Sequence, residues 1–199
     1  MRGLKLYLDR MLCPVTALGP GERLCLWVSG CRRRCSGCAN PELWEQKPSQ
    51  AVSVDRLISA LGDIFQTHRI DGITITGGEP FLQAEVLCEM LDAMDRLGGM
   101  PKDILVFTGF FLEEQEAEEE TRRLLERIAV LIDGPYETDK NDGVSALRGS
   151  SNQRIHYLRE DLEKTYALYL QQGRQIQNIV YDYRILSVGI HREAGRWNA

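Results

Sequence analysis

Two spacings of apolar residues recur along this chain, and they divide it into strands and helices. Leu24–Ser29 is a continuous apolar run with Trp27 and Val28, which predicts a strand. Ser53–His68 places Val54, Leu57, Ile58, Leu61, Ile64 and Phe65 on one helical face, with Ser53 as N-cap and Asp55 in the first turn. Ile73–Thr76 alternates, is β-branched and predicts a second strand. From Phe81 to Leu97, Leu82, Val86, Met90 and Met94 run beside Leu87 and Leu91. That is a helix ended by Gly98 and Gly99. Ile104–Thr108 is a third strand. Leu112–Arg127 predicts one charged helix, acidic early and basic late, as the helix dipole favours. Ala129–Ile132 is a fourth strand, Gly134–Gln153 a polar loop and Arg154–Leu158 a fifth strand. Leu162, Tyr166, Tyr169 and Leu170 mark another helix, stopped by Gly173, and Ile176–Ile190 reads as one long strand or a hairpin.

Strand and helix in alternation predict an α/β fold with a parallel sheet. A closed eight-stranded barrel takes about 250 residues. A chain of 199 residues with five or six strands is expected to form a partial, open (βα)-type barrel. An open side would let a macromolecular substrate push a loop inward.

Composition narrows the picture. The formal net charge is −5, which argues against a general nucleic-acid binder. No apolar run reaches the roughly 20 residues that span a bilayer. Met1–Arg10 has no apolar core of a signal peptide. Of the six cysteines, Cys13, Cys25 and Cys88 are scattered in apolar settings as small hydrophobes, so a disulfide scaffold is not expected and a reducing cytoplasm is. His68, His156 and His191 show no metal spacing and read as structural.

The other three cysteines carry the chemistry. Cys31, Cys35 and Cys38 form C-x3-C-x2-C within eight residues. Such a loop suits a soft metal centre. A structural zinc or a fully ligated cluster takes four protein ligands. Three thiolates leave one iron of a cluster open to bind a substrate or cofactor. On the cysteines alone, a zinc site or a thiol–disulfide pair at Cys35 and Cys38 remains an alternative. Gly77, Gly78, Glu79 and Pro80 follow the second strand, where glycines permit close backbone approach and Glu79 sets a carboxylate at a strand's C-terminal end, the binding end of α/β folds. Thr108 and Asp133 close the third and fourth strands at that end; the ordinary reading of each is a polar strand cap. The run Arg32, Arg33 and Arg34 reads as a solvated loop, or as a cationic patch that steers an acidic electron donor to an anionic cluster.

Together the cysteine loop and the Gly-Gly-Glu-Pro turn resemble the radical S-adenosylmethionine superfamily. Within it, the chain is similar to the group of activating enzymes that serves anaerobic (class III) ribonucleotide reductase. Gly19-Pro20-Gly21, Leu26–Cys31, Asn40–Trp44, Lys102–Gly109, Leu131–Pro135 and Arg148–Gln153 occur in that group's order and cover roughly residues 13 to 158. Gly37 stands where many superfamily members have an aromatic residue, which favours this group.

The resemblance implies residues 1–158 as the core domain and 159–199 as an extension packed on it. It implies a [4Fe–4S] cluster on Cys31, Cys35 and Cys38, with S-adenosylmethionine chelating the open iron. It places Gly77, Gly78, Glu79, Pro80, Thr108 and Asp133 around that cofactor, with the glycine turn and Glu79 facing its amino group. A flavodoxin-type donor would reduce the cluster. Reductive cleavage would give a 5′-deoxyadenosyl radical, which takes a hydrogen atom from a glycine of a glycyl-radical enzyme. Arg32, Arg33, Arg34, Asn152 and Gln153 would serve docking of partner or reductant. Alternatives are a radical enzyme with another peptide or small-molecule target, and a non-catalytic iron–sulfur or zinc module.

Overall fold

The structure is a computed structural model describing residues 3–98, 100–115, 118–181 and 183–191. It opens on a strand that the apolar pattern does not announce, β1 (Lys5–Val15), whose charged residues and Pro14 break any simple alternation. β1 pairs antiparallel with β2 (Arg23–Val28) on one edge and with β3 (Ala51–Ser53) on the other. Helix α1 (Val54–Thr67) follows, with Ser53 Oγ accepting the Arg56 N–H as its cap. Next come β4 (Gly72–Gly77), a 3-10 turn over Pro80–Gln83 and helix α2 (Ala84–Leu97). Gly99, the second residue of the expected stop, lies outside the described residues.

After β5 (Ile104–Phe107), two short helices stand where one was expected, α3 (Leu112–Gln115) and α4 (Glu119–Leu125). Residues 116 and 117 lie outside the described set. The chain continues through β6 (Val130–Asp133), β7 (Arg154–Tyr157) and α5 (Glu163–Leu170), and then β8 (Ile176–Tyr181) and β9 (Arg184–Gly189) form a hairpin. Residues 192–199 of the expected extension lie outside the described residues.

The expected sheet needs correction. Seven strands run in the order β3-β1-β2-β4-β5-β6-β7, and the sheet is not closed. Only β2, β4, β5 and β6 pair in parallel. Parallel neighbours need a long crossover, and helices fill just these links: α1 between β2 and β4, α2 between β4 and β5, α3 and α4 between β5 and β6. No α-helix joins β1 to β2 or β6 to β7, and these pair antiparallel.

β2 and β6 are buried along their length, and β4 and β5 up to the C-terminal ends that face the cavity, as strands covered on both faces must be. On one face Leu57 and Leu61 of α1 and Leu87, Leu91 and Met94 of α2 pack over Leu24, Leu26, Ile73, Ile75 and Val106. On the other, Tyr166 and Tyr169 of α5 cover Leu105, Val130 and Ile132. Truncating one such leucine to alanine costs about 2–5 kcal/mol. At the N-terminal end of the parallel strands, fully buried Arg23 donates to Asp103 Oδ2 at 2.7 Å, and Tyr166 Oη donates to Asp103 Oδ1 at 2.7 Å. That network fastens α5 to the sheet and leaves the opposite end of the strands free for a site. No helix of the described residues is long and apolar enough to cross a membrane.

Candidate functional site

At the C-terminal ends of the parallel strands a cavity of about 710 Å3 opens, and Cys31, Cys35 and Cys38 all line it. The loop that carries them leaves β2 at Val28. It is held at its root by Gly30 N–H to Leu43 O (2.8 Å) and Cys31 N–H to Trp44 O (2.9 Å). Arg10 of β1 donates to Asn40 Oδ1 at 2.8 Å and lies 5.3 Å from the centre of the Trp27 ring, bracing the loop's far end. All three thiols are free and half-buried.

Burial pushes the Cys31 and Cys38 thiols up. Backbone N–H groups of Arg34 and Arg33 at Cys31, and of Asn40 at Cys38, oppose that shift. N–H groups aimed at sulfur also tune a cluster bound through those sulfurs. The buried Trp44 indole N–H acts on Cys38 in the same sense without a well-formed hydrogen bond. Among the described residues no three His, Cys, Asp or Glu side chains close into a ready metal-binding set. The fit to a cluster rests on the donor chemistry, three thiols on one short loop at one cavity, and on the backbone beside them.

That backbone is the glycine turn. Gly78 N–H donates to Val28 O at 2.7 Å and Glu79 N–H to Gly30 O at 2.8 Å, so the turn is bonded to the root of the cysteine loop. Gly77 has φ +111°, and a Cβ there would stand 2.4 Å from Val28 O. A Cβ on Gly78 would stand 2.5 Å from Gly30 O. Both glycines are required by the approach of two backbones, and both line the cavity. Their role is therefore structural as well as available to a ligand.

Glu79 itself is turned inward. It is 1% exposed, and its carboxylate accepts from Phe81 N–H (3.1 Å), Thr108 Oγ1 (2.8 Å) and Gly109 N–H (2.9 Å). The first of these makes Glu79 the N-cap of the 3-10 turn that Pro80 begins. Burial pushes its carboxyl up to about 7, although these donors and nearby Arg33 oppose the shift. Pro80 is buried and does not line the cavity; Thr108 does. Asp133 does not: its carboxylate is engaged by Arg154 Nε (3.0 Å), Leu112 N–H (2.8 Å) and His156 Nε2 (3.0 Å). Gly134, the next residue, lines the cavity in its place.

The three arginines separate. Arg33 donates to Gly109 O at 2.8 Å, stacks 4.6 Å from the centre of the Phe110 ring and pairs with Glu114 at 3.3 Å. Arg34 pairs with Glu45. Arg32 is exposed and has no ion pair among the described residues. Gln153 lines the cavity and holds its rim loop, accepting from Gly149 N–H at 2.7 Å and donating to Gly134 O at 3.0 Å. Asn152 donates to Pro135 O at 2.8 Å, away from the cavity lining.

The family described as a 4Fe-4S single cluster domain matches residues 17–156. Among curated proteins, the chain is similar to the anaerobic ribonucleoside-triphosphate reductase-activating proteins of Salmonella typhimurium (37% identical over 146 residues, 71% of this chain and 92% of the relative) and Escherichia coli K12 (35% over 144 residues, 71% and 92%). The protein of that name in Enterobacteria phage T4 is 33% identical over 139 residues, 69% of this chain and 85% of the relative. The chain belongs to the anaerobic ribonucleoside-triphosphate reductase-activating protein family. Two parts of the site of this family member escape the sequence reading. Arg10 lies on the strand that the apolar pattern hides. The hairpin strand β9 lines the cavity with Ile185–Gly189 but falls, like α5 and β8, outside the matched residues. Gly109, the donor to Glu79, stands within the Lys102–Gly109 resemblance, at the strand end where a site was expected.

Proposed function

We propose that this chain is the activating enzyme of an anaerobic ribonucleoside-triphosphate reductase and forms a glycyl radical on it. The observation that carries the reading is the meeting of the three thiols with Gly77, Gly78 and Thr108 in one cavity, in a chain of this family. Cys31, Cys35 and Cys38 would hold a [4Fe–4S] cluster, and Gly77 and Gly78 would offer backbone to the amino group of S-adenosylmethionine. Bound there, cluster and cofactor would supply the one-electron radical chemistry by which a hydrogen atom is taken from a glycine Cα.

The residues of the chain do the rest. Glu79 fixes the glycine turn against Thr108 and Gly109 rather than facing the ligand directly. Gly78 N–H and Glu79 N–H lock that turn to the cysteine loop. Arg33 ties the loop to the end of β5. Asp133, whose carboxylate is fully engaged, orders the start of α3 and the end of β6. A flavodoxin-type donor in a reducing cytoplasm would approach at exposed Arg32. The unclosed sheet suits an open barrel that admits part of a protein substrate.

The test is anaerobic reconstitution with iron and sulfide, followed by incubation with the reductase of the same source, S-adenosylmethionine and a reductant. About four irons per chain and a glycyl-radical signal in electron paramagnetic resonance are expected. Replacing Cys31, Cys35 or Cys38 by Ala should abolish both; replacing Cys13 or Cys88 should not. A Cys35→Ala protein with a full complement of iron would sink the ligand assignment.

A further inference from the structure

The hairpin that lies outside the matched family residues walls the same cavity as the cysteines. Ile185, Ser187 and Gly189 of β9 line it. The hairpin is firmly seated. Val188 is 4% exposed and packs with Val15, Leu18, Trp27 and Leu43. Gln177 donates to Pro14 O at 3.1 Å and accepts from Thr16 N–H at 2.9 Å. At its foot, Arg174 donates to the carbonyls of Ser145, Gly149 and His191, joining the hairpin to the rim loop before β7.

β8 covers one edge of β9, with Tyr181 opposite Arg184, Ile179 opposite Leu186 and Gln177 opposite Val188. In a two-residue hairpin the closing pair exchanges both its hydrogen bonds, and bonded pairs then alternate with unbonded ones. Counting from Tyr181–Arg184, residues 185, 187 and 189 turn their N–H and C=O groups to the outer edge. Among the described residues nothing hydrogen-bonds to that edge. A row of unpaired backbone groups is a template for an added strand. Beside it Val180 and Ile185, opposite one another in register, are 76% and 67% exposed.

We propose that the free edge of β9 receives, in extended form, the segment of the reductase that carries the target glycine, so that main-chain pairing presents its Cα to the cysteine loop. A glycine has no side chain to recognise, and backbone pairing is the recognition left to it. Val180 and Ile185 would take apolar side chains flanking it. This inference rests on the function proposed above and adds where the partner binds.

Residue-resolved hydrogen exchange on the reconstituted protein, with and without the reductase, tests it. The amides of Ile185, Ser187 and Gly189 should slow about tenfold or more on complex formation, while those of Leu186 and Val188, already bonded to β8, change less. Ser187→Pro removes one outward N–H and leaves the ladder to β8. It should raise the reductase concentration for half-maximal radical formation about tenfold, with the yield at saturation retained. Unchanged exchange at all three amides, in a mixture where the wild type does form the glycyl radical, overturns the edge assignment and leaves the proposed function standing. A wild type that forms no radical on the reductase removes that function, and this inference with it.

Discussion

Thr108 Oγ1 donates a 2.8 Å hydrogen bond to Glu79 Oε1, joining the ends of two neighbouring parallel strands. The other carboxylate oxygen takes the Gly109 N–H at 2.9 Å, so one buried side chain spans the site's floor from β4 to β5.

Removing that carboxylate strands several buried donors. Glu79→Ala should destabilise the protein by about 3 kcal/mol, since each unsatisfied buried polar group costs about 1–3 kcal/mol. For a chain of this length that lowers Tm by on the order of 10 °C. Glu79→Gln keeps the volume but sets an amide N–H2 near one of these donors, and should fall between Ala and the wild type. Thermal unfolding followed by circular dichroism orders the three. An unshifted Tm for Glu79→Ala would mean that the carboxylate acts on a ligand and not on the turn.

The arginines invite a second comparison. Arg33 is bound to Gly109 O and to the Phe110 ring, so it belongs to the scaffold of the cysteine loop. Arg33→Gln should slow cluster reduction by flavodoxin and by dithionite alike. Arg32 is exposed. One unit charge at about 10 Å in water contributes roughly 0.4 kcal/mol, or about twofold in rate. Arg32→Gln should therefore cost about twofold with flavodoxin at low salt, nothing at high salt and nothing with dithionite. Stopped-flow reduction rates at two ionic strengths decide it. Equal responses of the two variants to the two donors would erase the distinction.

Those two arginines also show how far the sequence could be read. Arg32–Arg34 look alike as a run of charge, and only the fold assigns Arg33 to Gly109, which is distant in sequence. The parallel centre of the sheet was legible because β2, β5 and β6 are largely apolar, β4 alternates β-branched residues, and α1 and α2 are strongly periodic. β1 was not, because a strand whose partners supply its register can carry Lys5, Asp9, Arg10 and Pro14 without losing its place. The cysteines and glycines were legible from their spacing. The inward turn of Glu79 was not, since a carboxylate after a glycine pair serves equally as a ligand contact or as a cap.

Asp133 yields a prediction on pH. It is fully enclosed, paired across the β6–β7 ladder with Arg154, and touched by Leu112 N–H and His156. Burial pushes its carboxyl up, but the Arg154 guanidinium, the Leu112 N–H and His156 together hold it below its ordinary 3.8. A folded value below the unfolded one means that the unfolded chain binds more protons in that range. The stabilisation is then full above about pH 4 and is lost as pH falls through the folded value. Glu113, which Arg154 also holds down to about 2, titrates in the same window and supplies the exposed comparison. Asp133→Asn should be less stable at pH 7 by about 2 kcal/mol, a figure kept low because Arg154 is partly exposed. Below pH 4 its stability should decline less steeply than that of the wild type, and Glu113→Gln, which removes a carboxylate lowered over the same range, should flatten the decline as well. Urea unfolding between pH 2.5 and 7 measures all three. Parallel curves for Asp133→Asn and the wild type below pH 4 would show that the buried carboxylate does not titrate in this window and that its partners hold it in place without shifting its charge.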